Sequence, residues 1–327
     1  MIEITHMYAD KHEWIHDISQ EKCFICETGR LRSYFRLSKN GLEAVRCSNC
    51  AVVIVINSPI NQENASTFYS MNAFKGQREL QNTDFYRGYY KNCFVGYDRD
   101  DLTILQFQQI LSEIKILCNR NNSAKLLDVG CATGVFLDMA RHDGWEVKGI
   151  EISEELAKYA RENFHLEIRS DLIKTPFPQR SFDVVTMLDV IEHLPRPIVN
   201  TIISEISRII KPGGVVVIRT PSEDGLLRTV AKLVYFVSGK TIESPMHLFY
   251  SYEHVLNFTP GALESILKRH QFDLVLRKRE EENPQRLNLN KAIKVMLQCS
   301  YSFSKLLKRE HKIIHFYRLS RALSPPT

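Results

Sequence analysis

The chain has 327 residues, 44% of them hydrophobic and 25% charged, which is enough to bury a core and fill about two domains and excludes an extended polar tail. The formal net charge of +5, gathered partly between positions 277 and 321, is too mild to point by itself to nucleic acid or an anionic membrane surface. The opening residues, MIEITHMYADKHEWIHD, lack an apolar leader core, and the apolar stretches at 51–56 and 226–237 are too short or too charged to span a bilayer, so the expectation is a soluble, cytoplasmic protein.

Four of the eight cysteines form Cys23-x-x-Cys26 and Cys47-x-x-Cys50 with twenty residues between the pairs. Each pair suits a tight knuckle that supplies two thiolates, and Arg32, Tyr34, Arg36, Leu42, Ala44 and Val45 suit the short hairpin strands between them. Four sulfurs would close a tetrahedral structural Zn2+ site with no position open for catalytic water; two disulfides or a redox pair are the alternatives. A zinc ribbon is therefore expected over 1–57. Cys93, Cys118, Cys131 and Cys299 show no such spacing and read as small buried hydrophobes.

Residues 58–122 are rich in Asn, Gln, Tyr and Phe, and 102–117 carries apolar residues at helical intervals, so a linker with docking helices is expected there. The Tyr86, Tyr89, Tyr90 and Phe94 group suits either packing or a cover over a ligand.

At 126–129 the run LLDV has the continuous apolar character of a central parallel strand, and Val135, Phe136, Met139 and Ala140 follow at helical spacing. Gly130 and Gly134 permit a tight turn between them, and the amides that open the helix offer donors to a ligand. The pattern then recurs as WEVKGIEI before SEELAKYARENF, LEIRSD, FDVVTMLDV before PIVNTIISEISRII, and GGVVVIRT. Such alternation implies right-handed crossovers and a doubly wound parallel α/β sheet, with a ligand beyond the carboxyl ends of its strands. Acids fall at those ends: Asp128, Glu151, Asp171 and Asp189 after the first four strands. Glu151 is placed to take both hydroxyls of a ribose. The segment Asp128-x-Gly130-x-Ala132-x-Gly134 does not match the G-x-G-x-x-G of dinucleotide enzymes, and no P-loop motif occurs.

Further on, 261–270 reads as a helix, 272–278 as a strand and 313–318 as the strand that closes the sheet. Between them, 290–307 places Ile293, Met296, Leu297, Phe303 and Leu307 on a basic helix, which suits packing on the core or contact with a membrane surface. The Pro325-Pro326 end is expected to fray.

Five segments in this order, LLDVGCATG, GIEIS, SFDVVTMLDVIEHLPRP, IIKPGGVVVIRTP and MHLFYSYEHVLNF, resemble the class I S-adenosylmethionine-dependent methyltransferases, whose first motif often reads LDVGCGTG. The resemblance covers about 125–278, and the CxxC pairs ahead of it match a branch with an N-terminal zinc ribbon, whose members modify sugars, polysaccharide precursors and other small metabolites. One departure is Ala132, where the family usually has glycine. The resemblance implies a Rossmann-like seven-stranded sheet over 123–327, S-adenosylmethionine as cofactor and structural zinc. It also implies that Gly130 and the backbone near Ala132 line the methionine part with Gly134 completing the turn, and that Asp128 orders that part through hydrogen bonds. Glu151 would hold the ribose, Asp171 would accept from the adenine amino group between Ile152 and Leu172, and Leu188 and Asp189 would border the methionyl end.

Methyl transfer from a sulfonium is a direct displacement that depends mainly on positioning, but a hydroxyl acceptor must lose its proton near the transition state. Glu192, His193 and His247 are the candidate bases. His193 lies in an EHL segment that the family shares across different acceptors, which favours a structural role; His247 lies in the variable stretch after the fifth strand, where the acceptor would approach. The leading function is therefore methylation of a small-molecule acceptor, on a hydroxyl of a sugar or a related precursor. RNA methylation through the ribbon and a non-catalytic module that binds cofactor or partner are the alternatives, and a peripheral membrane contact through the basic C-terminal helix is a further one.

Overall fold

The computed structural model of the chain describes residues 21–59, 101–118, 124–281 and 291–320. Tyr86, Tyr89, Tyr90, Phe94, Cys93 and the Pro325-Pro326 end lie outside the described residues, as do the side chains of Ile293, Met296 and Leu297.

The N-terminal part is a small antiparallel sheet of β1 (Leu31–Arg36), β2 (Glu43–Cys47) and β3 (Val53–Val55). Leu31 and Val45 join one buried cluster, while Phe35, Ala44 and Val53 join another, so this small sheet is covered on both faces. Helix α1 (Asp101–Cys118) then leads to the main sheet, built from β4 (Lys125–Val129), β5 (Glu146–Ile150), β6 (Ile168–Arg169), β7 (Phe182–Leu188) and β8 (Ile210–Pro221). The crossovers are α2 (Val135–His142), α3 (Glu154–Phe164) and α4 (Val199–Ile209). In α4, Val199, Ile202, Ile203, Ile206 and Ile209 all point inward, the i, i+3, i+4, i+7 stripe of a helix laid on a sheet. After β8 come α5 (Leu226–Val237), β9 (Leu256–Asn257), α6 (Pro260–Arg269), β10 (Phe272–Glu280), α7 (Lys291–Leu306) and β11 (Lys312–Leu319).

The main sheet has the order β10-β11-β8-β7-β4-β5-β6. Pairings from β8 through β6 are parallel, while β11 runs antiparallel to both β8 and β10. This is the mostly parallel, doubly wound sheet that the alternating pattern implied, with the seven strands of the Rossmann-like sheet that the resemblance implied. One detail differs from the reading of 313–318 as the strand that closes the sheet: β11 inserts between β8 and β10, and β10 takes the edge. The burial strings explain this, because β11 is buried at nearly every position whereas β10 alternates, as a strand covered on one face does.

The ribbon sheet is completed from far along the chain. β9 pairs antiparallel with β3, Val53 opposite Asn257 and Ile54 opposite Leu256. The buried cluster that contains Cys23, Ile25, Val52 and Ile54 also contains Ile203, Ile206, Leu263 and Phe272 of the main domain. Polar ties reinforce the seam: Arg269 donates to the carbonyls of Phe24 and Ile25, and Thr259, which caps α6, donates to the carbonyl of Cys50. Beneath it, the fully buried Arg228 of α5 bonds Glu223, Asn257 and the Phe249 carbonyl, while Tyr250 and Lys232 also donate to Glu223. A buried cation persists only when its donors are matched in this way.

Candidate active site

The turn after β4 is shaped by three residues in the left-handed region: Gly130 at φ 78°, Ala132 at φ 48° and Gly134 at φ 82°. A Cβ on Gly130 would lie 2.4 Å from Cγ2 of Val190, and one on Gly134 would lie 2.6 Å from Leu166 and 3.0 Å from Ala160. The room left by Gly134 is thus filled by α3 and the segment before β6, so this glycine brings protein close to protein. Ala132 carries a methyl group where its backbone favours glycine, which accounts for the glycine common in related sequences.

Glu151, at the end of β5, clasps this turn. Its carboxylate is 7% exposed and accepts from the amide of Ala132 at 2.9 Å and from that of Ser153 at 2.8 Å. Burial raises its pKa, against the backbone hydrogen bonds that favour the charged form. A carboxylate has about four lone-pair sites, so hydroxyl donors of a ligand can still reach it. Asp128 is buried in the sheet and accepts from the Thr186 hydroxyl at 2.6 Å; burial pushes its carboxyl up to about 7, with the Thr186 bond opposing. Asp171 is half-buried and caps its own turn, one oxygen accepting from the amides of Ile173 at 2.8 Å and Lys174 at 3.0 Å. Leu172 is buried, and Ile152 and Leu188 are half-buried at the same edge of the sheet.

Asp189 follows β7 with φ 59° and meets two cations, Nη2 of Arg219 at 2.8 Å and Nζ of Lys312 at 3.1 Å. Desolvation works against its charge, yet Arg219 and Lys312 outweigh that and hold its carboxyl well below the usual range. Arg219 also pairs with Glu280 at 3.5 Å, and its guanidinium lies 5.3 Å from the ring centre of Phe107 on α1. The second oxygen of Asp189, Oδ1, is enclosed without a hydrogen-bond partner.

Next along the chain, Glu192 is buried, accepts from Thr220 at 2.9 Å, and leaves its Oε1 enclosed without a partner. Burial, then the negative charge of Asp189, push its carboxyl up to about 8. Nδ1 of His193 lies 2.9 Å from the Glu253 carbonyl, which fixes that nitrogen as the N–H and Nε2 as the basic one. The ring packs edge-on against His254, centroids 4.8 Å apart. Burial lowers the pKa of both imidazoles, so they are neutral at physiological pH. Ligand atoms of Glu192, His193 and His254 all lie within 4.8 Å of one another, close enough to surround one acceptor hydroxyl or one divalent cation.

His247 is not part of this group. It sits on the short turn Met246–Leu248 with Nε2 3.6 Å from Glu243, and that carboxylate accepts from the amides of Ser38 and Lys39 in the ribbon hairpin. Of the residues brought to the site, His254, Arg219, Lys312 and Thr186 carried no local signal, since each is a single polar residue whose partners come from other strands. The spacing Asp189-x-x-Glu192-His193 was the signal available at the sequence level.

At the far end of the ribbon, Cys23 Sγ lies 3.8 Å from Cys50 Sγ, and Cys26 Sγ lies 3.7 Å from Cys47 Sγ. A disulfide requires about 2.05 Å, whereas the edge of a sulfur tetrahedron around zinc, with Zn–S about 2.3 Å, is about 3.8 Å. The amides of Gly29 and Asn49 point at Cys26 and Cys47, the donors a thiolate needs. The hydrogen bond with Cys50 holds the Cys23 thiol down at about 5 while raising Cys50. The donor set thus fits a tetrahedral metal.

Comparison with known proteins agrees with this architecture. Residues 105–277 match a family described as "Methyltransferase domain". The ubiquinone biosynthesis O-methyltransferase of Idiomarina loihiensis is 28% identical over 143 residues, 42% of this chain and 51% of that protein. The enzyme of the same name from Xanthomonas oryzae pv. oryzae is 32% identical over 123 residues, 36% of this chain and 48% of that protein. The chain thus spans about half the length of the curated relatives it matches. Among solved structures, an S-adenosylmethionine-dependent methyltransferase from Archaeoglobus fulgidus is similar with a TM-score of 0.43 at 16% identity, covering 67% of this chain and 100% of that one.

Replacing Ala132 by glycine is expected to relieve the left-handed strain and raise stability by up to about 1 kcal/mol. Urea unfolding followed by circular dichroism checks this; a loss of stability would show that the methyl group contributes packing that outweighs the strain.

Proposed function

The chain belongs to the methyltransferase domain family, and from that membership we propose that it transfers the methyl group of S-adenosylmethionine to a hydroxyl of a small-molecule acceptor. The observation that carries the cofactor is the Glu151 carboxylate, clasped by the turn after β4 and flanked by Asp128 and Asp171 at neighbouring strand ends. Ribose hydroxyls are donors, and Glu151 is an acceptor fixed before they arrive. When bound, the cofactor supplies an electrophilic methyl carbon on a sulfonium.

For the acceptor, the support is the Glu192–His193–His254 group together with the two enclosed carboxylate oxygens that lack partners, Asp189 Oδ1 and Glu192 Oε1. Unsatisfied enclosed oxygens are rare and mark places where a donor is expected to arrive. An acceptor hydroxyl held there attacks the methyl carbon as the C–S bond breaks, and its proton passes to a neutral imidazole of the His193–His254 pair. We place the base here and not at His247, whose ring faces Glu243 at 3.6 Å beside the ribbon hairpin. The relatives' names favour oxygen as the methylated atom; a sugar hydroxyl is one such acceptor and a phenol another. A second reading rests on the ligand spacing: two neutral imidazoles and the Glu192 carboxyl group within 4.8 Å suit a divalent cation, which would displace the carboxyl proton and lower the pKa of the hydroxyl in place of a direct base. The four ribbon cysteines hold a structural zinc in this reading and take no part in the chemistry.

Glu151→Ala is expected to weaken binding of S-adenosylhomocysteine by about 2 kcal/mol, roughly thirtyfold, as read by titration calorimetry; unchanged affinity would remove Glu151 from the site. His254→Ala should keep cofactor affinity while lowering turnover roughly a hundredfold or more, measured as S-adenosylhomocysteine release over a panel of phenols and nucleotide sugars. A variant with full turnover would take the proton transfer away from this group, and turnover that depends on an added divalent ion while the ribbon zinc stays at one per chain would select the cation reading. Metal analysis is expected to find one zinc per chain, lost together with thermal stability in Cys50→Ser; a metal-free, equally stable wild-type protein would overturn the zinc assignment.

A further inference from the structure

Helix α5 leaves the carboxyl end of β8, on the acceptor side, and its inner face is the docked one: Arg228, Ala231 and Tyr235 are buried. A helix docked on a protein ordinarily turns polar residues outward. Here the outer face carries Val230, Leu233 and Val237 at i, i+3 and i+7, with Leu233 61% and Val237 77% exposed, and Ile242 and Leu248 are exposed just beyond. From Leu226 to Ile242 the only charged residues are Arg228, Lys232 and Lys240, and the first two are held by Glu223.

The end of α7 abuts this helix. The amide of Leu226 donates to the carbonyl of Arg309, and the Arg309 guanidinium donates to Thr229. There Leu306 is 76% exposed and Leu307 45%, between the exposed Lys305 and Lys308. From Lys291 to Arg309 the sequence contains five cations and no Asp or Glu. Exposed apolar side chains on two adjoining helices, accompanied by cations and by no acid on either helix, suit the surface of an anionic bilayer: aliphatic groups enter the headgroup boundary and lysines meet lipid phosphates. A second copy is disfavoured as the occupant, because an isologous pairing would bring lysines of like charge toward one another.

We propose that the outer faces of α5 and the end of α7 bind an anionic lipid bilayer, so that the acceptor reaches the site from the lipid side. The acceptor's route rests on the methyltransferase reading; the binding does not, and it is tested without turnover. In co-sedimentation with phosphatidylcholine vesicles and with vesicles that also contain phosphatidylglycerol, the full-length protein should pellet with the anionic vesicles and release as salt rises. Each lysine near such a surface contributes about a fivefold gain in binding, so Lys305→Glu with Lys308→Glu should weaken it by roughly thirtyfold or more. Leu233→Glu with Val237→Glu should do so by at least roughly tenfold, with melting temperature and S-adenosylhomocysteine affinity unchanged, since both side chains face outward. Failure to pellet, or binding that neither double variant weakens, would overturn the proposal. So would a concentration-dependent dimer abolished by the Leu233/Val237 variant, which would make this face a protein interface.

Discussion

A carboxylate that meets two cations governs the carboxyl ends of β7 and β8. Asp189 sits in a left-handed backbone position at the end of β7 and holds Arg219 from β8 and Lys312 from the start of β11. Both cations are about 5% exposed, and enclosing them is tolerable only because Asp189 and Glu280 are there to match them. The pairing pins three strands at their ligand-facing ends, and it does so because β11 inserts beside β8. Its charge has a second consequence, since the field of Asp189 helps keep the Glu192 carboxyl protonated. Removal of one member would therefore alter both the sheet edge and the protonation of the neighbouring group.

The ribbon is tied to the segment that carries His254. Its third strand pairs with β9, whose first residue follows His254 by two positions, and Asn257 both accepts from the buried Arg228 and donates to the His254 carbonyl. His247 serves the same junction through Glu243 and the amides of the hairpin. The four-cysteine cluster and the imidazole pair are thus connected through a strand, a buried guanidinium and shared core residues, so the stability of the ribbon and the position of His254 are linked.

The turn after β4 and the acid that clasps it were legible in the sequence because their determinants are local. A strand, a turn in the left-handed region and an acid at the next strand end lie within Leu126 to Glu151, and backbone amides complete the site. The group around Asp189 and His193 was not, since His193 meets His254 from sixty-one residues away and Asp189 meets Lys312 from 123. No periodicity announces such partners; β11 set between β8 and β10 brings Lys312 to Asp189, and the pairing of β9 with the ribbon strand β3 holds the segment of His254. His247 shows the converse case. It has the residue type and the chain position of an acceptor-side base, but the backbone between α5 and β9 turns it toward the ribbon.

This division has a chemical logic. On the cofactor side, Glu151 and Asp171 are held by backbone amides, so substitutions that keep the turn conformation leave their geometry intact. On the acceptor side, Asp189, Glu192 and His254 are placed through side chains of separate elements, and one substitution there can reshape the pocket. A displacement at a sulfonium needs a fixed methyl donor and an acceptor aligned to it. A backbone-built half can therefore be kept while the side-chain-built half changes, which is why the fold identifies the methyl donor more narrowly than the acceptor.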